Sequence, residues 1–246
     1  MDRWNNIYIG TSGWSYPHWR GPFYPEDQKR KDFLSYYTQH FRTVEINNSF
    51  YKLPSPQTLR QWKKIAPSGF VFTFKASRYI THMKKLKDPE DTLPPLFESA
   101  GALGDKLGPI LFQFPPRWRL NMDRFLFFLD SLPPGYRYAF EFRDPSWQVP
   151  AVYEALLMVE AAFCIFELSG FLTPKEVTAE FVYIRLHGPD GAYQGEYDAS
   201  TLAGWAGAMT HWADEGRDVF CFFDNDESGY AAKNALRLHN MLNKDA

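Results

Sequence analysis

The chain has 246 residues, of which 45% are hydrophobic, 23% charged and 18% aromatic. This composition supplies a large apolar core and excludes a largely disordered chain. The formal net charge is only −2, which excludes a uniformly cationic nucleic-acid binder and leaves only a local basic patch for such contacts.

Short runs of β-branched and aromatic residues alternate with segments of helical spacing along the chain. The predicted strands cover residues 7–10, 43–47, 70–76, 109–114, 136–142, 162–167, 181–187 and 219–224. The predicted helices include residues 56–62, which follow the capping residue Ser55, and residues 123–129, 151–160, 202–214 and 230–242. The connection over residues 173–178 is too short for a full helix.

Eight strands that alternate with helices, in a chain of about the ~250 residues typical of that architecture, predict a single (β/α)8 TIM-type barrel. We interpret residues 1–246 as one domain, because no linker or low-complexity segment divides them. The alternative is an open doubly wound sheet. A dinucleotide-binding sheet of that kind needs a glycine-rich fingerprint after the first strand, and Gly10-Thr11-Ser12-Gly13-Trp14 lacks its spacing.

Polar side chains stand in strands that should be almost wholly apolar, because strands of a parallel barrel are buried on both faces. On one face these residues are Glu45, Asn47, Lys75, Gln113, Glu141, Arg143, Glu167, Arg185, His187 and Asp224. Nearly all lie at the carboxyl ends of their strands, which predicts a polar pocket at the barrel mouth. Because a buried charge costs several kcal/mol unless it is paired, the pattern indicates either a self-satisfied ion network or a ligand that completes it. We favour the ligand.

The loops after the strands carry much of the aromatic excess. These residues are Trp14, Tyr16, Trp19, Phe23, Tyr24, Phe50, Tyr51, Trp118, Trp147, Tyr193 and Tyr197. They either stack on sugars or bases in a groove or simply pack the barrel top. A basic set follows strands three and four: Arg78, His82, Lys84, Lys85, Arg117 and Arg119. Such a set is typical of phosphate contacts or of a solvated face.

Several specific signatures are missing from the sequence: the Gly-x-Ser-x-Gly elbow, the Walker loop, His-Glu-x-x-His and paired zinc cysteines. We therefore expect no cofactor and no metal. Cys164 and Cys221 lie in apolar runs, which predicts buried free thiols. The first six residues lack the pattern of a secretory leader and no long apolar stretch follows, so we expect a cytoplasmic protein without membrane contact.

A set of short motifs spans nearly the whole chain. In order they are Ile9-Gly10-Thr11-Ser12-Gly13-Trp14, Val44-Glu45-Ile46-Asn47-Asn48-Ser49-Phe50-Tyr51, Phe72-Thr73-Phe74-Lys75-Ala76, Leu111-Phe112-Gln113-Phe114-Pro115-Pro116, Glu141-Phe142-Arg143, Arg185-Leu186-His187-Gly188 and Phe223-Asp224-Asn225-Asp226. Together they resemble the YecE-like family, a domain of unknown function. The resemblance implies a TIM-type barrel and a cytoplasmic protein, and it supplies no reaction. The chain departs from the family pattern at Asp224, where Asn is more usual, and around Glu167.

The first functional hypothesis is an enzyme, a hydrolase or lyase, that acts by acid/base chemistry on a small phosphorylated, otherwise anionic or sugar-containing substrate at the barrel mouth. Its catalytic candidates are Glu45, Glu141 and His187. Its substrate-binding candidates are Trp14, Tyr16, Asn47, Tyr51, Lys75, His82, Gln113, Arg143, Trp147, Arg185, Asp224 and Asn225. The alternative is a nucleic-acid binder without catalysis, and a scaffold for a protein partner also stays open.

Overall fold

The computed structural model describes residues 6–244 and is built on a parallel β-barrel. The strands are β1 (Ile7–Thr11), β2 (Thr43–Ile46), β3 (Val71–Lys75), β4 (Leu107–Gln113), β5 (Tyr138–Glu141), β6 (Ala162–Leu168), β7 (Phe171–Leu172), β8 (Phe181–Leu186) and β9 (Asp218–Phe223). All pair in parallel except the short β7, which folds back on β6. Residues 1–5, on which most of the leader prediction rests, lie outside the described part of the chain.

Helices occupy most of the connections between the strands. They are α1 (Phe33–Tyr37), α2 (Pro56–Ile65), α3 (Pro89–Gly101), α4 (Met122–Asp130), α5 (Pro150–Met158), α6 (Ala199–Asp214) and α7 (Tyr230–Lys244). Three begin at a side chain that accepts a backbone N–H of the first turn, and these caps are Ser55, Asn121 and Asp198. No helix in the described part of the chain is long and apolar enough to cross a membrane.

The strand order is β1-β9-β8-β6-β5-β4-β3-β2, and β2 returns to the side of β1. There Ser12 bridges Glu45 in parallel, and the Gly13 amide donates to the Glu45 carbonyl at 2.9 Å. The eight parallel strands therefore form a nearly closed barrel, which confirms the predicted (β/α)8 fold. The closure also explains Gly10, since a Cβ atom at that position would lie 2.3 Å from the carbonyl oxygen of Thr43.

The interior of the barrel changes character along its axis. Near the amino ends of the strands it is apolar, with Tyr8 stacked on Phe220 at 4.7 Å between ring centroids. Further along, Tyr183 and Thr73 add hydroxyl groups, and the charged layer follows at the carboxyl ends. Outside the strands, aromatic rings such as Phe112 and Phe128 pack against the helices. The apolar floor and shell hold the charged layer in a water-poor setting.

Two connections between strands bear on the predicted helices, and only the one between β6 and β8 departs from regular βα alternation. Helix α3 was not predicted, because Pro94 and Pro95 lie inside it and proline normally ends a helix. Between β6 and β8 there is no helix, as predicted; the hydroxyl groups of Thr173 and Thr178 instead accept the Phe166 and Phe163 amides of β6. Cys164 and Cys221 are buried free thiols, which confirms that prediction.

Candidate functional site

Arg185, at the carboxyl end of β8, is fully buried at the centre of the charged layer. Its guanidinium donates to Glu45 and Glu141 at 2.7 Å each and to Asp224 at 3.1 Å. The Ser12 hydroxyl accepts a further, longer bond at 3.2 Å. One arginine thus holds carboxylates from β2 and β5 and from the residue after β9. The same contacts enclose Arg185 in protein, and among its guanidinium nitrogens only the buried Nε has no hydrogen-bond partner.

Both carboxylates of the predicted catalytic pair accept hydrogen bonds from buried donors. Burial opposes ionisation of Glu141, but Arg143 and Arg185 together outweigh it and hold its pKa well below the usual range. Glu45 accepts the Ser12 hydroxyl and the Tyr183 hydroxyl, each at 2.8 Å. Glu141 is therefore unable to donate a proton as a general acid near neutral pH.

His187 links the network to the mouth and is itself fully buried. Its Nε2 lies 2.8 Å from a guanidinium nitrogen of Arg143, and its Nδ1 lies 3.1 Å from Asp224. Because a guanidinium has no acceptor, Nε2 must accept, and the ring proton is then on Nδ1 and faces Asp224. The ring is covered by Tyr193, whose centroid is 5.6 Å away.

Lys75 ends β3 and differs from the other charges of the layer. It is 6% exposed, and no carboxylate among the described residues lies within ion-pair distance of its ammonium. Its Nζ instead lies over the ring of Phe50, 4.5 Å from the centroid. Burial lowers the pKa of Lys75 to about 8, and the Arg185 cation acts in the same direction.

The segment after β3 continues the mouth beyond Lys75. Residues Tyr79–Met83 form one π-helical turn, a feature often found at functional sites. In that turn His82 packs its ring against Phe50 at 4.9 Å. Burial, Lys75 and Arg78 lower the pKa of His82 to about 4, so its imidazole is neutral at pH 7.

Strained backbone is concentrated in the loops beside this site. Lys85, Leu86 and Asp88 follow β3 with φ between 50° and 65°, a range that side-chain-bearing residues seldom adopt. Arg117 after β4 and Tyr193 after β8 share this conformation, with φ of 61° and 67°. Such strain persists only when the surroundings impose it, and it tends to cluster at binding and catalytic sites.

A cavity of about 580 Å³ opens next to the mouth, between the loop after β1 and helix α2. Trp14 and Trp62 line it and meet edge to face at 4.8 Å, and Arg30 lies at its rim. Asn47 also lines it, and its buried amide oxygen has no hydrogen-bond partner. Tyr16 lines the cavity as well, and its hydroxyl donates to the Ser12 carbonyl at 2.6 Å.

The structure sorts the predicted site residues into five groups. In the ion network it brings together Glu45, Glu141, Arg143, Arg185, His187 and Asp224. At the carboxyl ends of β3 and β4 and on the turn after β3 it places Lys75, Gln113 and His82, and in the neighbouring cavity Trp14, Tyr16 and Asn47. Tyr51 is 72% exposed on the loop after β2. Trp147 and Asn225 lie outside the site.

Trp147 and Asn225 lie outside the site because each is held by contacts elsewhere in the protein. Trp147 is fully buried, stacks on Phe142 at 5.1 Å and donates its indole N–H to the Trp118 carbonyl. Its ring is part of the aromatic packing outside the strands. The buried amide of Asn225 donates to the Gly195 carbonyl and to Asn234, both at 2.8 Å, and so ties two loops together. Both side chains are fully buried by contacts within the protein.

Sequence reasoning left out Ser12, Tyr183 and Phe50 as members of the site. Tyr183 lies two residues before Arg185 on the same strand face, so the alternation that identified Arg185 could have identified it as well. Phe50 was noted only as a loop aromatic, and nothing in the sequence places its ring against Lys75. Among the described residues no group of three or more His, Cys, Asp or Glu side chains is arranged to hold a metal ion.

Comparisons with known proteins agree with the fold and carry no activity. A family model described as "Protein of unknown function DUF72" matches residues 8–246. The UPF0759 protein YunF of Bacillus subtilis is 27% identical over 96% of this chain and 94% of its own length. The UPF0759 protein YecE of Escherichia coli K12 is 30% identical over 57% of this chain and 50% of its own.

Solved structures of the same family have the same architecture. A DUF72 family protein of Thermotoga maritima has a TM-score of 0.87 and 29% identity, over 96% of this chain and 98% of that chain. One from Enterococcus faecalis has a TM-score of 0.82 and 21% identity, over 96% of this chain and 95% of that chain. Its similarity extends to the fold alone.

Proposed function

Because this chain belongs to the DUF72 family, whose description assigns no reaction, we propose its function from the geometry of the barrel mouth. It is an enzyme, a hydrolase or lyase, that acts by acid/base chemistry on a small anionic or sugar-containing substrate. The observation that carries the proposal is a difference in pairing: Arg185 binds all three carboxylates of the network, whereas the ammonium of Lys75 has no carboxylate within ion-pair distance among the described residues. Such a site recognises an anion or an electron-rich oxygen.

The residues of the ion network have different roles in this proposal. Arg143 is the second group suited to an anion, since its side chain is 8% exposed and its guanidinium also contacts Glu141 and His187. His187 lies between Glu141 and Asp224, and the Nδ1–H that faces Asp224 fixes the orientation of its ring. Arg185 is a positioning residue that fixes three carboxylates, a role different from the substrate anchor expected from the sequence.

The nucleic-acid alternative receives less support from the side chains on which it depends. Stacking on bases requires accessible rings. Tyr51 and Tyr193 are exposed, but Trp19, Trp147 and Tyr197 are fully buried and Trp118 is 7% exposed. Exposed cations such as Arg117 and Arg119 do follow β4, but solvated basic residues are common on any surface. The geometry therefore favours a small ligand inside the mouth.

Thermal unfolding across a panel of sugar phosphates, nucleotides, short oligonucleotides and divalent metals tests the proposal. A ligand at one hundred times its Kd stabilises by about 2.7 kcal/mol, or roughly 5–11 °C for a domain of this size. We expect a small anion to raise the midpoint, and Arg143→Ala to abolish the rise, whereas Lys63→Ala at the carboxyl end of α2 keeps it. A rise with oligonucleotides alone, or no rise at all, would refute a small-molecule site.

A further inference from the structure

Lys75 is more deeply buried than recognition of an anion requires. Its side chain is 6% exposed at the end of β3, and its ammonium lies against the Phe50 ring with no carboxylate in reach among residues 6–244. An arginine would bind an anion at such a position without risk of losing its charge. The surroundings of Lys75 instead favour the uncharged amine, which is the nucleophilic form.

One neighbouring charge, the Arg185 cation, also favours the uncharged amine of Lys75. Besides burial, the cation of Arg185 lowers the pKa of Lys75 from 10.5 to about 8, against the weaker opposing influence of Glu45, Asp224 and Glu141. Since each pKa unit is a factor of ten, the free-amine fraction at pH 7 is roughly 300-fold above that of an ordinary lysine. Lysines activated in this way form imines with carbonyl substrates.

We propose that Lys75 is the catalytic nucleophile of this enzyme and forms an imine with an aldehyde or ketone substrate that carries an anionic group. The inference rests on the proposed function and changes the role of Lys75 from anchor to nucleophile. The Nζ lone pair attacks the carbonyl carbon, the carbonyl oxygen takes up a proton and the nitrogen releases one. The resulting hydroxyl group leaves as water with a second proton, and the C=N bond forms without any change of oxidation state.

The mouth contains the groups that these proton transfers need. His82 packs edge to face against Phe50, the same ring that Lys75 contacts, and its imidazole is neutral at pH 7 because burial, Lys75 and Arg78 lower its pKa to about 4. A neutral imidazole accepts the proton that the attacking nitrogen releases. Arg143 is the remaining cation for the anionic group of the substrate. The π-helical turn that carries His82 follows Lys75 by only a few residues.

Reductive trapping tests the proposal with glycolaldehyde phosphate as the probe and cyanoborohydride as the reductant. The reductant converts an imine into a stable secondary amine, which peptide mass spectrometry assigns to one lysine. We expect modification of Lys75 at least tenfold faster than of any other lysine at pH 7. We expect Lys75→Arg to remove that adduct, Lys63→Arg to keep it, and His82→Asn to slow its formation. Modification spread evenly over the lysines would overturn the proposal.

A second measurement separates this proposal from the proposed function. Glycolaldehyde phosphate without reductant, followed by thermal unfolding, reports binding whether or not an imine forms. Stabilisation of both the native chain and Lys75→Arg, with no trapped adduct on the native chain, would overturn the imine and leave the anion site in place. If neither an adduct nor stabilisation occurs with any anion of the panel, both proposals are overturned. Peptide mapping of the native chain decides the question even if Lys75→Arg does not fold.

Discussion

Replacing Lys75 by methionine should make the protein more stable. Below pH 8 the native state contains a buried ammonium group, and burial removes its hydration. The free-energy cost of this desolvation is reflected in the fall of the pKa of Lys75 from 10.5 to about 8. At 1.36 kcal/mol per pKa unit the cost is about 3 kcal/mol. The cation–π contact with Phe50 returns about 1 kcal/mol of this. Lys75→Met, which is similar in length and uncharged, should therefore gain about 2 kcal/mol, or roughly 4–8 °C in Tm.

The pH dependence of this gain is the sharper test. The native state binds fewer protons than the unfolded state between pH 8 and 10.5, so the penalty from Lys75 is complete below pH 8 and vanishes as the pH rises toward 10.5. The difference between Lys75→Met and the native chain should shrink over the same interval. Urea unfolding from pH 6 to 10.5 measures it. Lys63→Met is the control, because the Lys63 side chain is 34% exposed and pairs with Asp105 on the surface.

A gain that stays constant with pH would contradict the view that charge burial causes it, and would point to packing of the methionine alone. A loss of stability at pH 7 would refute the reasoning altogether, because it would mean that the ammonium has a partner. Stabilisation with simultaneous loss of the trapped adduct would show that this chain retains an unfavourable charge for the sake of its chemistry.

Three further predictions concern the network and the barrel seam. Glu141→Gln removes the carboxylate shared by two buried arginines and should cost about 3–5 kcal/mol in urea unfolding, whereas Glu180→Gln, on an 89% exposed side chain, should change little. Stability should fall as the pH drops from 6.5 to 4, because the pKa of His82 is lowered in the native state. It should fall again below pH 4, because the pKa values of Glu141 and Asp224 are lowered. A stability from urea unfolding that does not change with pH would contradict both expectations. Gly10→Ala should destabilise the protein by about 1–3 kcal/mol and lower Tm, because the new Cβ would clash with the Thr43 carbonyl. The control Gly204→Ala in α6 should raise Tm slightly, because a Cβ there would have no atom within 4 Å.

The fold was predictable because its signals are local and repeated. Each strand is a short apolar run, and the caps at Ser55, Asn121 and Asp198 stand where helices α2, α4 and α6 begin. Helix α3 was missed because the rule that proline ends helices is itself local, and here Thr92, Leu93 and Leu96 are buried in spite of it. Burial of that apolar face outweighs the two prolines.

The charged residues of the site were predictable from strand alternation, but their pairing was not. Alternation states which side chains point into the barrel, and it found Glu45, Glu141 and Arg185. It does not state distances, so it could not distinguish Arg185, which is enclosed by carboxylates, from Lys75, which has none. Nor could it show that Trp147 packs outward, because a ring in a loop is equally suited to a core or to a pocket.

The position of Arg185 also bears on how the barrel assembles. Its three partners lie 39, 44 and 140 residues away along the chain, on or beside three different strands. Contacts of such separation form only after the intervening chain has been organised, and this slows folding. Interactions that are absent from the folding transition state act chiefly on the unfolding rate. We therefore expect the buried ion network to form late in folding and to act chiefly on the unfolding rate, and so on the lifetime of the folded barrel.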